Sequence, residues 1–446
     1  MIVLVHAMAR FAATAAPPPS VHAVAAQAVA DCFGCILAGA HSEVAQRAFA
    51  AYSRLGDGSA PILGTVQTLP ASYAALANAV AGHAWDLDDW EEPGNTHPTV
   101  VLLPALLAAA HLKPVSGRDL LAAYAVGCEI IMRLGEALTL DHYARGFHST
   151  ATLGGIGAAG AVGRQLGLDD AQIAQAMSIA TSRAVGYTVQ FGSNAKPLQA
   201  GFAAQTGVEA AVLAAQGATG QAQVIDHPRG FAGLLGAHDA DRSARTRQRL
   251  GSPWALDEYG LVLKPWPSCG YTHRLMTAAL SVRDQVLHRL DQIVRIQVWM
   301  PDFHYEILPF DRPMTRNEAL FSAPACLAQA LITGGLTLAD SAAGFWDIDP
   351  VTRLIPLTSV ASEPARDPNL NYDPLQPDRL AIELRSGEVI ETTCAYPLGA
   401  PQNPMSPDQL ADKFQDITTL SRSCFDHLLQ WPDAPDAAKY FQEIPR

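Results

Sequence analysis

Through about the first 250 residues, apolar positions recur at every third or fourth residue, and many of them are alanine. That spacing is one face of an α-helix, and alanine is the strongest helix former. The pattern predicts helices over Val21–Ala40 (closed by Gly39), His41–Leu55, Ala71–Asp86, Pro104–Leu112 and Leu120–Leu138. Ser116 and Asp119 resemble a capping box for the last of these, with aspartate in the glutamate position. Residues 151–167 are so rich in glycine and alanine that neighbouring helices can approach closely, as the centre of a bundle requires. A further helix is expected over Asp169–Arg183. A long one follows with Pro197 at its first position and an end near Gly217. Residues 56–70 read as an irregular or short-strand connector, and His142–Ser149 as a loop of aromatic and cationic residues.

The period changes near Lys264. A helix is expected over His273–Arg289, followed by a strand, IVRIQVWM, in which Val294, Ile296, Val298 and Met300 share one buried face. Glu318–Ile332 reads as helix, and residues 379–393 as two strands around a Ser386-Gly387 turn. Ser406-Pro407 then opens a helix of the earlier type. The expected architecture is mostly α. Residues 1–264 form a helical domain, 265–402 a smaller α+β unit inserted into it, and 403–446 helices that return to the first domain. The opening segment mimics a signal peptide, but its apolar run is short and carries His6 and Arg10, so it reads as a first helix ending before Pro17. No run of about twenty uncharged apolar residues suggests a membrane span.

Composition narrows the function. The 446 residues are 49% hydrophobic with a net charge of −13. No Lys/Arg run appears, which argues against nucleic acid or an anionic membrane as partner. Seven irregularly spaced cysteines fit reduced thiols in a cytoplasmic protein. Cys32 and Cys35 form a CxxC inside a helical pattern with no second pair, which does not make a zinc or redox site. GGIGAAG follows no strand and has no acidic residue at the right distance, so no dinucleotide site is assigned there.

Titratable chemistry concentrates in Gly82–Pro98, GHAWDLDDWEEPGNTHP. Three further polar loops carry His or Lys beside glycine and hydroxyl residues: 142–149 (His142, Arg145, His148), 192–196 (Lys196) and 264–273 (Lys264, Cys269, Tyr271, Thr272, His273). If these loops converge, cations hold the carboxylates of a small di- or tricarboxylate while a histidine moves a proton beside one of them. No metal is assigned, because no second acidic box completes a ligand set.

These residues also resemble a known family. DCFGCILAG (31–39), AWDLDD (84–89) with THP (96–98), GFHSTATLGGIGAA (146–159), the GSNAKPLQAGFAAQTGVEAA block (192–211), PRGF (228–231) and KPWPSCGYTH (264–273) are similar in kind and order to the MmgE/PrpD family. That family includes 2-methylcitrate dehydratase, cis-aconitate decarboxylase and iminodisuccinate epimerase. The resemblance implies a large helical domain with an inserted α+β lid, a cleft active site, a homodimer and no cofactor. It implies functional roles for Asp86, His97, His148, Lys196 and Lys264, which fall on the polar loops, and Trp90, Arg145, Cys269, Tyr271 and Thr272 of the same loops are expected beside the substrate. His97 is the expected acid/base, His148 its counterpart, the lysines bind carboxylate, and Asp86 tunes a neighbouring cation. Trp90 and Cys269 stand where the decarboxylase branch has Thr and His, and the 89–97 segment is slightly longer. A dehydratase is therefore ranked first and an epimerase second. A decarboxylase or a non-catalytic binding protein ranks below both.

Overall fold

The glycine-rich segment forms the helix Ser149–Leu166, and the helices Pro98–Leu112, Gly117–Leu138 and Ala195–Ala215 pack around it. The missing side chains are what allow this. A Cβ on Gly157 would lie 2.3 Å from Ile131 Cγ1, and one on Gly207 would lie 2.3 Å from Ala158 Cβ. Pro98–Leu112 is buried continuously from Pro98 to Ala110, so it carries no polar face. It begins at Pro98, a turn and a half before the expected start, and tolerates Pro104 inside. Chemistry-bearing residues cap these helices, as His97 precedes Pro98 and His148 precedes Ser149. The computed structural model describes residues 3–235 and 239–444.

Pro19–Gly39 is long and apolar enough to cross a membrane by length and composition alone. It packs here against Ala71–His83 and Pro407–Thr418, and its Asp31 pairs with buried Lys413 at 2.6 Å. Ser406 caps the latter helix in a full capping box with Gln409, with Pro407 at its first position as expected. The larger apolar core accordingly draws on Leu4–Leu261 and again on Met405–Ile444.

A second core draws on Val262–Ala400, joined by Trp90 and Tyr143 from the helical part. Its four-stranded sheet runs Thr358–Glu363, Ile293–Pro301, Asp378–Leu384, Val389–Cys394. The first pair is parallel and the others antiparallel. Three differences from the sequence reading have local causes. A register shift between Ile293 and Arg295 turns Val294 outward, so Ile293 is buried in its place. The strand Thr358–Glu363 was not expected, because its half-exposed side chains show no apolar alternation. The helix expected over Glu318–Ile332 is broken at Ser322, whose side chain caps a new start at Ala323. Further upstream, Asp141–Ala144 is one turn of helix rather than loop, and Pro197 is the third residue of Ala195–Ala215 rather than the first.

Candidate active site

The helix Ala71–His83 ends beside the acidic stretch, and Asp86 turns the chain in a left-handed conformation, φ 52°. Asn95, at the other end of the stretch, is left-handed as well, φ 53°. Such strain persists only where surrounding contacts impose it. Glu91 supplies some of them, accepting from Gly94 N at 2.8 Å and Thr96 N at 3.0 Å. Burial raises the Glu91 carboxyl to about 7. Lys264 donates to the Asp86 carbonyl at 2.9 Å, and Lys413 to the next carbonyl, Leu87, at 3.1 Å.

Asp86, His97, His148, Lys196 and Lys264 all line one cavity between the two cores. Lys196 and Lys264 each place Nζ 2.7 Å from Asp86 Oδ1. Burial works against ionisation of Asp86, but Lys196 and Lys264 more than offset it and hold the carboxyl well below its usual range. Lys196 is also flanked by the rings of Phe191 and Phe321, 5.4 and 5.5 Å from their centroids.

The two histidines are backed differently. Asp88 lies 3.1 Å from Nδ1 of His97 and also accepts from Nδ1 of buried His83 at 2.8 Å. Burial opposes its charge, but the two rings keep Asp88 ionised. An ionised carboxylate only accepts, so His97 turns its other nitrogen toward the cavity, 3.9 Å from Asp86 Oδ1. Burial lowers His97 to about 4, with Lys264 and His83 adding to the effect against the pull of Asp88. His148 faces Gln199 Oε1 with Nδ1 at 2.6 Å, and burial and Lys196 keep it well below the ordinary histidine range. Both imidazoles are therefore neutral near pH 7.

Trp90, Cys269 and Tyr271 line the same cavity. Burial pushes the Cys269 thiol up to about 11, so it stays protonated. Tyr271 donates to Asn371 at 2.7 Å and accepts from Asn95 at 2.8 Å. Two expected residues are not brought in. Arg145 follows the short helix Asp141–Ala144 and is exposed to solvent. Thr272 is buried away from the cavity, its hydroxyl donating to the Cys269 carbonyl at 2.8 Å. Tyr143, Asn95, Phe191 and Phe321 also line the cavity and were not singled out. Asn95 and Tyr143 lie in segments already flagged, and Phe191 adjoins Gly192–Lys196, but nothing in the sequence marks Phe321.

His83, Asp86, Asp88 and His97 bring nitrogen and oxygen atoms within 4.8 Å of one another. Asp86 already accepts from two ammoniums, so a cation there would meet two positive charges, and the donor set does not fit a metal. GGIGAAG lies within the buried helix Ser149–Leu166 and forms no phosphate-binding turn.

Residues 6–242 match the family profile described as MmgE/PrpD N-terminal domain, and residues 266–424 match the MmgE/PrpD C-terminal domain. The chain belongs to the MmgE/PrpD family. A relative named cis-aconitate decarboxylase from Homo sapiens is 32% identical over 358 residues, which is 78% of this chain and 72% of that protein. Another of that name from Aspergillus terreus is 26% identical over 386 residues, 81% and 77% of the two chains. A cis-aconitate decarboxylase-like protein from Aspergillus oryzae is 29% identical over 416 residues, 87% and 84%. These MmgE/PrpD relatives are named as enzymes of the lyase type.

Proposed function

We propose that this MmgE/PrpD chain is a lyase that acts on a small di- or tricarboxylate and removes water from it, as a 2-methylcitrate dehydratase does. The observation that carries the reading is the convergence of two lysines and two neutral imidazoles on one cavity. An anionic substrate is drawn to Lys196 and Lys264, which Asp86 holds in place. A neutral imidazole, His97 first, takes the proton from the carbon beside a substrate carboxylate. The electron pair moves into that carboxylate as an enolate, which the ammoniums stabilise. The adjacent C–O bond then breaks, and the hydroxide leaves with a proton from a lysine ammonium. Cys269, held protonated, is not the nucleophile. On this reading the second core serves as the lid.

A second reading, decarboxylation of a cis-aconitate-like acid, is favoured by the names of the relatives. Two arguments weigh against it. By the family resemblance, Trp90 and Cys269 stand where the decarboxylase branch is expected to have Thr and His. Decarboxylation also requires a proton to be given to carbon, whereas the neutral imidazoles are set to take one.

An NMR assay in D₂O against 2-methylcitrate, citrate, cis-aconitate and iminodisuccinate decides among these. An alkene formed from a hydroxy acid is the expected result. Loss of CO₂ would establish the second reading. Deuterium uptake without loss of water would mean an epimerase, and no exchange on any acid a binding protein or an untried substrate.

A further inference from the structure

We propose that Gln199 is the positioning residue that sets the tautomer of His148, holding the proton on Nδ1 and leaving the Nε2 lone pair to the cavity. The inference rests on reading the cavity as a proton-transfer site. Gln199 lies on Ala195–Ala215, one turn beyond Lys196, and is buried. Its Oε1 is 2.6 Å from His148 Nδ1. An amide can offer a ring nitrogen either its oxygen or its NH₂, and the choice decides which nitrogen carries the hydrogen.

The loop around Tyr187 makes that choice. Gln199 Nε2 donates to the Tyr187 carbonyl at 3.3 Å. A flipped amide would set two oxygens against each other there. Oε1 is therefore directed at the ring and accepts from Nδ1. A neutral imidazole has one N–H, so Nε2 is left as the base. That nitrogen is buried, and it has no hydrogen-bond partner among the described residues. The same loop grips the backbone of the histidine, since His148 N donates to Gly186 O at 3.0 Å. Gly186 admits no side chain, because a Cβ would lie 2.4 Å from Ala151 Cβ and 2.8 Å from Gln199 Oε1. The neutral amide orients His148 without adding charge, whereas the carboxylate of Asp88 behind His97 supports a ring that becomes positive.

The test is a long-range ¹H–¹⁵N correlation on ligand-free protein labelled with ¹⁵N-histidine, with His148 assigned by its loss in His148→Asn. The wild-type spectrum should show an Nδ1–H tautomer with an unprotonated Nε2. Gln199→Leu removes the acceptor and should mix or reverse this tautomer. With whichever acid of the panel the wild type turns over, Gln199→Leu should lower kcat by about tenfold to a hundredfold with KM within about twofold. An Nε2–H tautomer in the wild type overturns the proposal without any variant. So does a Gln199→Leu protein with unchanged tautomer and kcat. A wild type that shows the Nδ1–H tautomer yet exchanges no proton on any acid counts against the proton-transfer reading instead, and leaves the role of Gln199 standing.

Discussion

Lys264 Nζ lies 2.7 Å from the Asp86 carboxylate and 2.9 Å from the carbonyl oxygen of the same residue. One ammonium thus neutralises the acid and pins the left-handed turn that the acid sits on. Because Lys264 is buried at the junction of the two cores, the pair also ties the walls of the cavity together.

Removing one member of such a pair should cost more than removing both. Lys264→Met should destabilise the fold by about 3 kcal/mol, and the Lys264→Met/Asp86→Asn double variant by less than the sum of the single changes. Urea unfolding of the four proteins measures the coupling. Additive effects would mean that the two groups are stabilised independently.

His97 should titrate near pH 4 in wild-type protein, read from its ring C–H signals by NMR. The unfolded chain binds that proton near the ordinary value of 6.5. The stability this group contributes is therefore complete above about pH 6.5 and is lost as pH falls through about 4. Lys264 is one cause of the depression, so Lys264→Met should move the midpoint upward. A midpoint at the ordinary value in wild type would remove the case for a neutral base.

Asp89 has the opposite sign. Burial, reinforced by the charges of Asp88 and Asp31, raises its carboxyl to about 8 against hydrogen bonds from Thr99. Its contribution to stability is complete below about pH 3.8 and is lost as pH rises to about 8. Asp89→Asn should flatten that decline and stabilise the protein by a few kcal/mol, on the order of 1.4 per pKa unit, more at pH 8 than at pH 5. Thermal melts across this range check it, and parallel pH curves for the two proteins would show that Asp89 is ionised in the fold.

Gly207→Ala should lower stability by about 1–3 kcal/mol through overpacking, since its Cβ would meet Ala158 Cβ at 2.3 Å and Ala158 C at 2.9 Å. Chemical denaturation reports it. A neutral substitution would mean that the two helices separate easily.

Trp90 presents a buried indole N–H with no partner among the described residues, at the edge of the cavity. Trp90→Phe removes that donor together with part of a buried ring. It should lower stability by about 1–3 kcal/mol and raise KM about tenfold for the acid turned over, the effect of losing one hydrogen bond to a charged group. An unaltered KM would make Trp90 a wall rather than a contact.

The parts of this site that were legible lay in short polar loops between apolar helices. Asp86, His97, His148, Lys196 and Lys264 stood out because a chain with 16% charged residues concentrates its titratable groups in few places. Arg145 looked equivalent to them by composition, yet its loop turns outward after one helical turn. Phe321 was invisible, because it reaches Lys196 only when the second core is folded. The strand Thr358–Glu363 was hidden for the same reason, since it joins the sheet through backbone pairing with Ile293–Pro301 rather than through its own pattern.

The amino-acid sequence by itself determined most of the helices, the change to an α+β pattern beyond Lys264, and the residue types available for chemistry. These follow from local periodicity, capping and the cost of burying charge, which act over a few residues. Only the tertiary structure decided which of those residues meet. Lys264 and Asp86 are 178 positions apart, and Lys196 and Asp86 110 apart. Packing also decided that His97 is backed by a carboxylate and His148 by an amide. Those pairings depend on how close two helices can come, and glycines such as Gly157 and Gly207 settle that only once their neighbours are in place.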